Sequence, residues 1–241
     1  MISSPMFEEI DYCPTPIGAL SLRRRQDPVL QKEVYEIKLG EEFLMSTAYT
    51  DSEVALATLG LAAIDGEKLD VMVGGLGLGY TALAALETPR TATLHVVEYL
   101  APVIEWHRRG VLPMGSAVAD DPRTTFIEGD FFAMAADRQF GPVGGEACLD
   151  VLLVDIDHTP DSLLSPHSRP FYSQESLTGV ATLLRPNGIF GLWSDEPPET
   201  AFLERLEQAF GQAWAEPVTI ERPLAGTPII QTVYLARRRD A

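Results

Sequence analysis

The sequence predicts an α/β protein: a mostly parallel, twisted sheet with helices on both faces, preceded by a small antiparallel β unit. Three observations predict it. The hydrophobic run Val71-Met72-Val73 enters the glycine segment Gly74-Gly75-Leu76-Gly77-Leu78-Gly79-Tyr80 and leads at once into the helix-forming Thr81-Ala82-Leu83-Ala84-Ala85-Leu86. From there strand-like and helix-like segments alternate along the chain, as parallel strands joined by helical crossovers do. Ahead of about Met45 the pattern differs: Ala19-Leu20-Ser21-Leu22 and Glu33-Val34-Tyr35-Glu36-Ile37-Lys38-Leu39 alternate with period two, like half-exposed strands.

Taken in order, Leu39-Gly40-Glu41-Glu42-Phe43 is a turn into a third N-terminal strand. Helical spacing of Val54, Leu56, Leu59 and Ala62-Ala63 predicts a helix from Asp51, with Asp51 or Ser52 as N-cap and Gly66 as stop. Strands are expected over Leu69–Val73, Thr93–Glu98, Thr124–Glu128, Leu149–Asp155 and Gly188–Trp193. Helices are expected over Tyr80–Glu87, Pro102–Arg109, Phe132–Ala136, Tyr172–Leu184 and Glu199–Phe210. A Pro- and Ser-rich loop spans Ile156–Pro170, and two late strands, Val218–Glu221 and Gln231–Ala236, close the pattern. No repeat or low-complexity segment interrupts it. The expected division is a β unit over residues 1–48 and a nucleoside-binding domain over 49–241.

Composition narrows the function. A chain of 241 residues with 46% hydrophobic content can bury one sizeable core. A formal net charge of −17 argues against a nucleic-acid partner, which needs clustered Lys and Arg. The basic runs Arg23-Arg24-Arg25 and Arg237-Arg238-Arg239 are read as solvated strand ends. An acidic surface draws cationic substrates such as amines. Only Cys13 and Cys148 are present, so no disulfide framework is expected. Neither a signal peptide nor a bilayer-length apolar run of about 20 residues is seen. The expectation is a soluble, cytoplasmic protein with no membrane partner.

The chemistry is expected where the strands end. Glycines after a strand permit positive φ and close approach of backbone to a ligand, and the helix beginning there offers unbonded N–H groups. Glu98, about 20 residues on, ends the next strand at the spacing of a carboxylate that takes ribose hydroxyls. A dinucleotide fingerprint would need a small third residue where Tyr80 stands. The pattern present is G-x-G-x-G (Gly75, Gly77, Gly79), which resembles motif I of the class I S-adenosylmethionine-dependent transferases, a Rossmann-like fold. Gly129-Asp130 follows another strand, where the acid either accepts from an adenine amino group or caps the next helix. Asp155 ends five apolar residues of a central strand, a costly place for a charge without purpose. Asp157, His158 and His167 match no metal-ligand spacing, so no metal is expected. Tyr172 and Trp193 either stack on a ligand or simply pack. Ser162, Ser165 and Ser168 lack the G-x-S-x-G elbow of a hydrolase.

With these segments in this order, the chain resembles the spermidine synthase (polyamine aminopropyltransferase) family over nearly its whole length. The matching pieces are Gly74-Gly75-Leu76-Gly77-Leu78-Gly79, Val97-Glu98, Glu128-Gly129-Asp130, Val154-Asp155-Ile156-Asp157-His158-Thr159-Pro160 and Leu184-Arg185-Pro186-Asn187-Gly188. The resemblance implies that Glu98 holds ribose, Asp130 the adenine side, and that Asp155 orients or deprotonates an attacking amine with Asp157 and His158 assisting. The implied co-substrate is S-adenosylmethionine or its decarboxylated form, without a metal, and the partner a small amine. A homodimer is one assembly it allows. Three departures stand out. The family's GGGDGG acid falls on Gly77, the second acid of its VDSSDP segment falls on His158, and its Tyr-Gln pair falls on Asp51-Ser52, with Tyr49 two residues earlier. An acid at Gly77 would repel the carboxylate of intact S-adenosylmethionine; its replacement by glycine removes that penalty. Aminopropyl transfer is therefore the leading expectation, methyl transfer to a small molecule the first alternative, and non-catalytic nucleoside binding the second.

Overall fold

Two sheets organise the chain, for which a computed structural model describes residues 7–15, 17–221 and 227–239. The first sheet is antiparallel with order β1-β2-β3-β4, formed by β1 (Phe7–Thr15), β2 (Gly18–Asp27), β3 (Lys32–Leu39) and β4 (Glu42–Ser46). Strand β1 was not expected from the pattern. Its pairing explains why: Glu8 lies opposite Arg24 and Glu9 opposite Arg23. Ion pairs between these side chains stand where apolar alternation would have advertised a strand. The first basic run is thus consumed within the sheet, since Arg25 likewise bonds Asp27 and Glu36. Residues 1–6 of the expected N-terminal unit lie outside the described residues.

Helix α1 (Asp51–Ala62) leads into the second sheet, with Thr50 rather than Asp51 or Ser52 at its N-cap position. The remaining elements are β5 (Leu69–Gly74), α2 (Tyr80–Leu86), β6 (Thr91–Glu98), α3 (Ala101–Arg108), α4 (Gly115–Ala119), β7 (Thr124–Glu128), α5 (Phe131–Asp137), the short pair β8 (Gln139–Phe140) and β9 (Val143–Gly144), and β10 (Leu149–Val154). Then come a 3-10 turn over Pro166–Tyr172, α6 (Gln174–Ala181), β11 (Leu184–Ser194), α7 (Thr200–Phe210), β12 (Gly211–Ile220) and β13 (Ile229–Arg238). The sheet order is β12-β13-β11-β10-β5-β6-β7. Strands β11, β10, β5, β6 and β7 run parallel, and β13 pairs antiparallel with both β11 and β12.

Most expected boundaries of the second sheet and its helices hold to within two residues, and three move further. Helix α6 ends at Ala181 rather than Leu184, and the Leu184–Gly188 segment joins β11 through a register shift, with Asn187 at φ 64. Arg185 explains the irregularity: it donates to Asp150 at 2.6 Å and Asp70 at 2.8 Å, tying together the amino ends of three parallel strands. Strand β12 begins at Gly211, well before the expected Val218. It is the sheet's edge strand, where Pro217 is tolerated because one side of the strand needs no hydrogen-bond donor. Of the second basic run, Arg237 and Arg238 donate to the Ala63, Thr182 and Leu184 carbonyls instead of standing in solvent.

The parallel strands alternate between two apolar layers. Val71, Val73, Leu94, Val96, Val151 and Leu153 face the layer holding α1 to α4. Met72, Val97, Leu152 and Val154 face the layer holding α5 to α7, as period-two strands buried on both faces must. Leu20, Leu22 and Ile37 of the first sheet belong to the former layer. The first sheet is thus anchored beside the carboxyl end of β5, and the Trp106 indole adds a bond to Asp11 at 2.8 Å.

Candidate active site

The turn after β5 is built for close approach. Gly75 has φ 93 and Gly79 φ 89, conformations that disfavour any side chain, and a β-carbon at Gly75 would run into the Asp155 carbonyl. Behind the turn, fully buried His107 places Nε2 at 2.9 Å from the Gly77 carbonyl. That contact is a hydrogen bond only if Nε2 carries the proton, which leaves Nδ1, itself without a partner among the described residues, as the bare nitrogen. Burial lowers the His107 pKa, so folding selects the neutral ring and its contribution fades as pH falls below about 6.5. His107→Phe keeps the ring volume but orphans the Gly77 carbonyl. Its expected cost is about 1–3 kcal/mol of unfolding free energy, read by denaturant titration at pH 7.5.

Glu98 closes the turn from the next strand. Its Oε2 accepts from the backbone N–H of Leu76 at 3.0 Å and Gly77 at 3.4 Å, and Oε1 accepts from Leu100 at 2.8 Å. Burial pushes its pKa up, while these N–H groups favour the charged form. The side chain is 8% exposed and lines the cavity described below. Beside it, the Gly129 N–H donates to the Glu98 carbonyl at 3.0 Å, bringing Gly129-Asp130 to the same sheet edge. Asp130 caps α5: its Oδ1 accepts from Phe132 at 2.9 Å and Ala133 at 3.2 Å. Of its two expected roles, the capping one is formed within the protein, and its position on the cavity wall keeps the other available.

Asp155 follows β10 and is locked to the turn by its own N–H, which donates to the Gly74 carbonyl at 2.8 Å. Its Oδ2 accepts from the Thr81 hydroxyl at 2.6 Å. Burial raises its pKa to about 6. Asp157 is 3% exposed, with Oδ1 accepting from Leu164 N–H and Oδ2 from the Tyr172 hydroxyl, each at 2.8 Å. It therefore pins the Ile156–Pro170 loop to Tyr172, whose ring packs against Phe171 and Phe132 rather than facing the cavity. His158 stands at the rim, its Nε2 at 3.8 Å from Glu42 Oε1.

These groups converge on one cavity of about 340 Å³, within the usual range for a small-molecule site. It brings together Gly75, Gly77, Glu98, Gly129, Asp130, Asp155, Asp157 and His158; Gly79 lies behind its wall, against His107. The sequence reading missed several of its other walls. Ile17, Ile37, Leu39, Leu44 and Met45 reach it from the first sheet, and Glu53 from α1. Met45 packs directly against the turn: Leu78 N–H points at its Sδ at 3.1 Å, and any β-carbon at Gly77 would collide with that sulfur. Glu53 had a legible signal, since it shares the buried face of α1 with Leu56, Ala57 and Gly60 at spacings of three, four and seven residues. Met45 had none, because a half-buried methionine on a strand is ordinary. No group of His, Cys, Asp and Glu residues suited to a metal ion occurs among the described residues, and no helix among them is long and apolar enough to cross a membrane.

Strand order and glycine turn together define the class. Numbered along the second sheet alone, the order is 6-7-5-4-1-2-3, the Rossmann-like arrangement of class I S-adenosylmethionine-dependent methyltransferases, here preceded by an antiparallel β unit. More particularly, the chain has the spermidine synthase fold. A spermidine synthase in complex with the transition-state analogue AdoDATO superimposes with a TM-score of 0.73 at 15% identity, covering 95% of this chain and 73% of that one. Spermidine synthase from Thermotoga maritima gives 0.72 at 15% identity over 95% and 72% of the two chains. A probable spermidine synthase from Corynebacterium glutamicum gives 0.63 at 16% identity over 97% and 81%. No family model and no curated protein matches the sequence; the likeness is one of fold.

Proposed function

We propose that this protein is a spermidine synthase-like transferase that holds a sulfonium nucleoside and alkylates a small amine. The observation that carries this reading is the charge of the cavity wall. Glu42, Glu53, Glu98, Asp130, Asp155 and Asp157 line it, and no Lys or Arg does so among the described residues. Such a wall selects ligands that carry positive charge and disfavours polyanions such as phosphates. A sulfonium nucleoside and a protonated amine are both cations. The similarity to a spermidine synthase that holds AdoDATO supports the same choice.

The residues present fit such a nucleoside. The turn at Gly75 and Gly77 would take the nucleoside with Met45 as its neighbouring side chain, Glu98 would hold the ribose hydroxyls, and Asp130 would meet the adenine amino group. When bound, the nucleoside supplies a carbon made electrophilic by the adjacent positive sulfur. The protein supplies position and a proton acceptor, holding the amine in line and keeping its lone pair free. Asp155 takes that role. Asp157 assists by fixing the loop that roofs the cavity, and His158 by its place at the rim.

Met45 favours a second reading, methyl transfer from intact S-adenosylmethionine. Its thioether occupies the space that an acid at position 77 would need, so no carboxylate at that point repels the carboxylate of the intact cofactor. Calorimetric titration with S-adenosylmethionine and its decarboxylated form is expected to show binding of both, with the intact form no more than about tenfold the weaker. A preference above a hundredfold for the decarboxylated form would eliminate the methyl-transfer reading. Product analysis with a panel of primary amines then separates the reactions: methylthioadenosine marks aminopropyl transfer and S-adenosylhomocysteine marks methyl transfer. Neither product, with nucleoside still bound, would leave a binding protein.

A further inference from the structure

Glu53 is a carboxylate for which the reaction above has no use. It extends from the buried face of α1 into the wall of the cavity that Asp155 enters from the end of β10. Thr81, on the first turn of α2, joins the two: its hydroxyl donates to Asp155 Oδ2 at 2.6 Å and lies 3.2 Å from the Glu53 carbonyl oxygen. The Ser52 hydroxyl orients the acid itself, donating to Glu53 Oε2 at 2.7 Å. Trp193 lines the same wall, and its buried indole N–H has no partner among the described residues.

Charge makes the arrangement functional. Burial and the charge of Asp155 push the Glu53 pKa up to about 7, above the value of about 6 for Asp155. The groups around the pair do not offset this. Asp51 lies beside it on α1, Tyr80 on α2, Asp157 on the loop after β10, Glu42 across the cavity, and His158 is turned toward Glu42. None is a fixed cation. Two acids so placed titrate as one unit, holding roughly one proton near neutrality.

Resting on the function proposed above, we propose that Glu53 and Asp155 act together as the acceptor site, gripping the ammonium group of the substrate amine and taking its proton. The balance is simple. One N–H proton passes from the ammonium to the carboxylate pair, and the freed nitrogen lone pair forms the new N–C bond. The C–S bonding electrons return to sulfur, leaving a neutral thioether. The pair gives its proton to solvent once the product leaves.

The test is calorimetric titration of 1,4-diaminobutane into the full chain saturated with methylthioadenosine, in two buffers of different ionisation enthalpy, so that protons released on binding are counted. Wild type is expected to release protons at pH 6.5 and progressively fewer toward pH 8.5, where the pair is already ionised. Glu53→Gln is expected to release at most half as many at pH 6.5 and to bind the diamine about tenfold more weakly. A Glu53 of purely structural role would leave proton release unchanged in the variant, and that result overturns the proposal. So does a wild type that binds diamine without releasing protons at pH 6.5, which needs no variant. A wild type that binds neither methylthioadenosine nor diamine removes the proposed function itself.

Discussion

Asp155→Asn is expected to lower turnover by about 10²–10⁴-fold, the range for losing a positioned general base, with nucleoside affinity changed only several-fold. The contrast follows from the geometry. The backbone N–H of residue 155 keeps its bond to the Gly74 carbonyl, so the turn is unaltered, and an Asn oxygen still accepts from Thr81. What disappears is the negative charge and the ability to hold a proton. Single-turnover kinetics at saturating nucleoside and amine, paired with calorimetry, measures both halves; wild-type turnover in the variant would remove Asp155 from the mechanism. A pH profile adds a sign. Asp155 works as a carboxylate beside Glu53, and burial raises the two to about 6 and about 7, so wild-type activity falls as pH drops through that range. Stability of the ligand-free protein runs the other way. A carboxyl whose pKa is raised by folding contributes stability below its unfolded value of about 4 and loses it as pH climbs through the folded one. Asp155→Asn should therefore raise the Tm at pH 8 and leave it nearly unchanged at pH 4.

Glu98→Gln carries the second large effect, this time on binding. The carboxylate accepts three backbone N–H bonds from the glycine turn and the segment leading into α3. An amide offers one oxygen, and its NH₂ group would face donors. Losing charge-assisted bonds to two ribose hydroxyls at about 1.5 kcal/mol each weakens nucleoside binding by about 10²-fold. Methylthioadenosine and adenosine should lose affinity to the same degree, whereas adenine, which lacks the sugar, should lose little. Equal losses for all three would mean that Glu98 shapes the turn without touching ribose. Unchanged affinity throughout would place the nucleoside elsewhere.

Much of the fold was visible in the chain because its signals are local. Apolar runs such as Val71–Val73 and Val151–Val154 are long enough only for strands buried on both faces. The glycines that follow Val73 announce a turn that side chains could not make. Strand β7 was expected over its observed residues, Thr124–Glu128. Elements whose stability comes from elsewhere stayed hidden. Strand β1 relies on Glu–Arg pairs with β2. The start of β12, Gly211 to Pro217, is ordered by its long register with β13, and with its glycine, alanines and proline nothing in its own composition demands a strand.

By itself the sequence determined which residues stand at the strand ends: Gly75, Gly77, Gly79, Glu98, Gly129, Asp130 and Asp155 follow from chain-local periodicity and turn chemistry. Only the tertiary structure decided what meets them. It set Met45 against Gly77, His107 behind the turn and Glu53 near Asp155, joining positions separated by 30 to 102 residues in the chain. It also decided the protonation of the two acids, since a carboxyl's pKa depends on the water it loses and the charges brought near it. Both are properties of the packed cavity, and no stretch of sequence carries them alone.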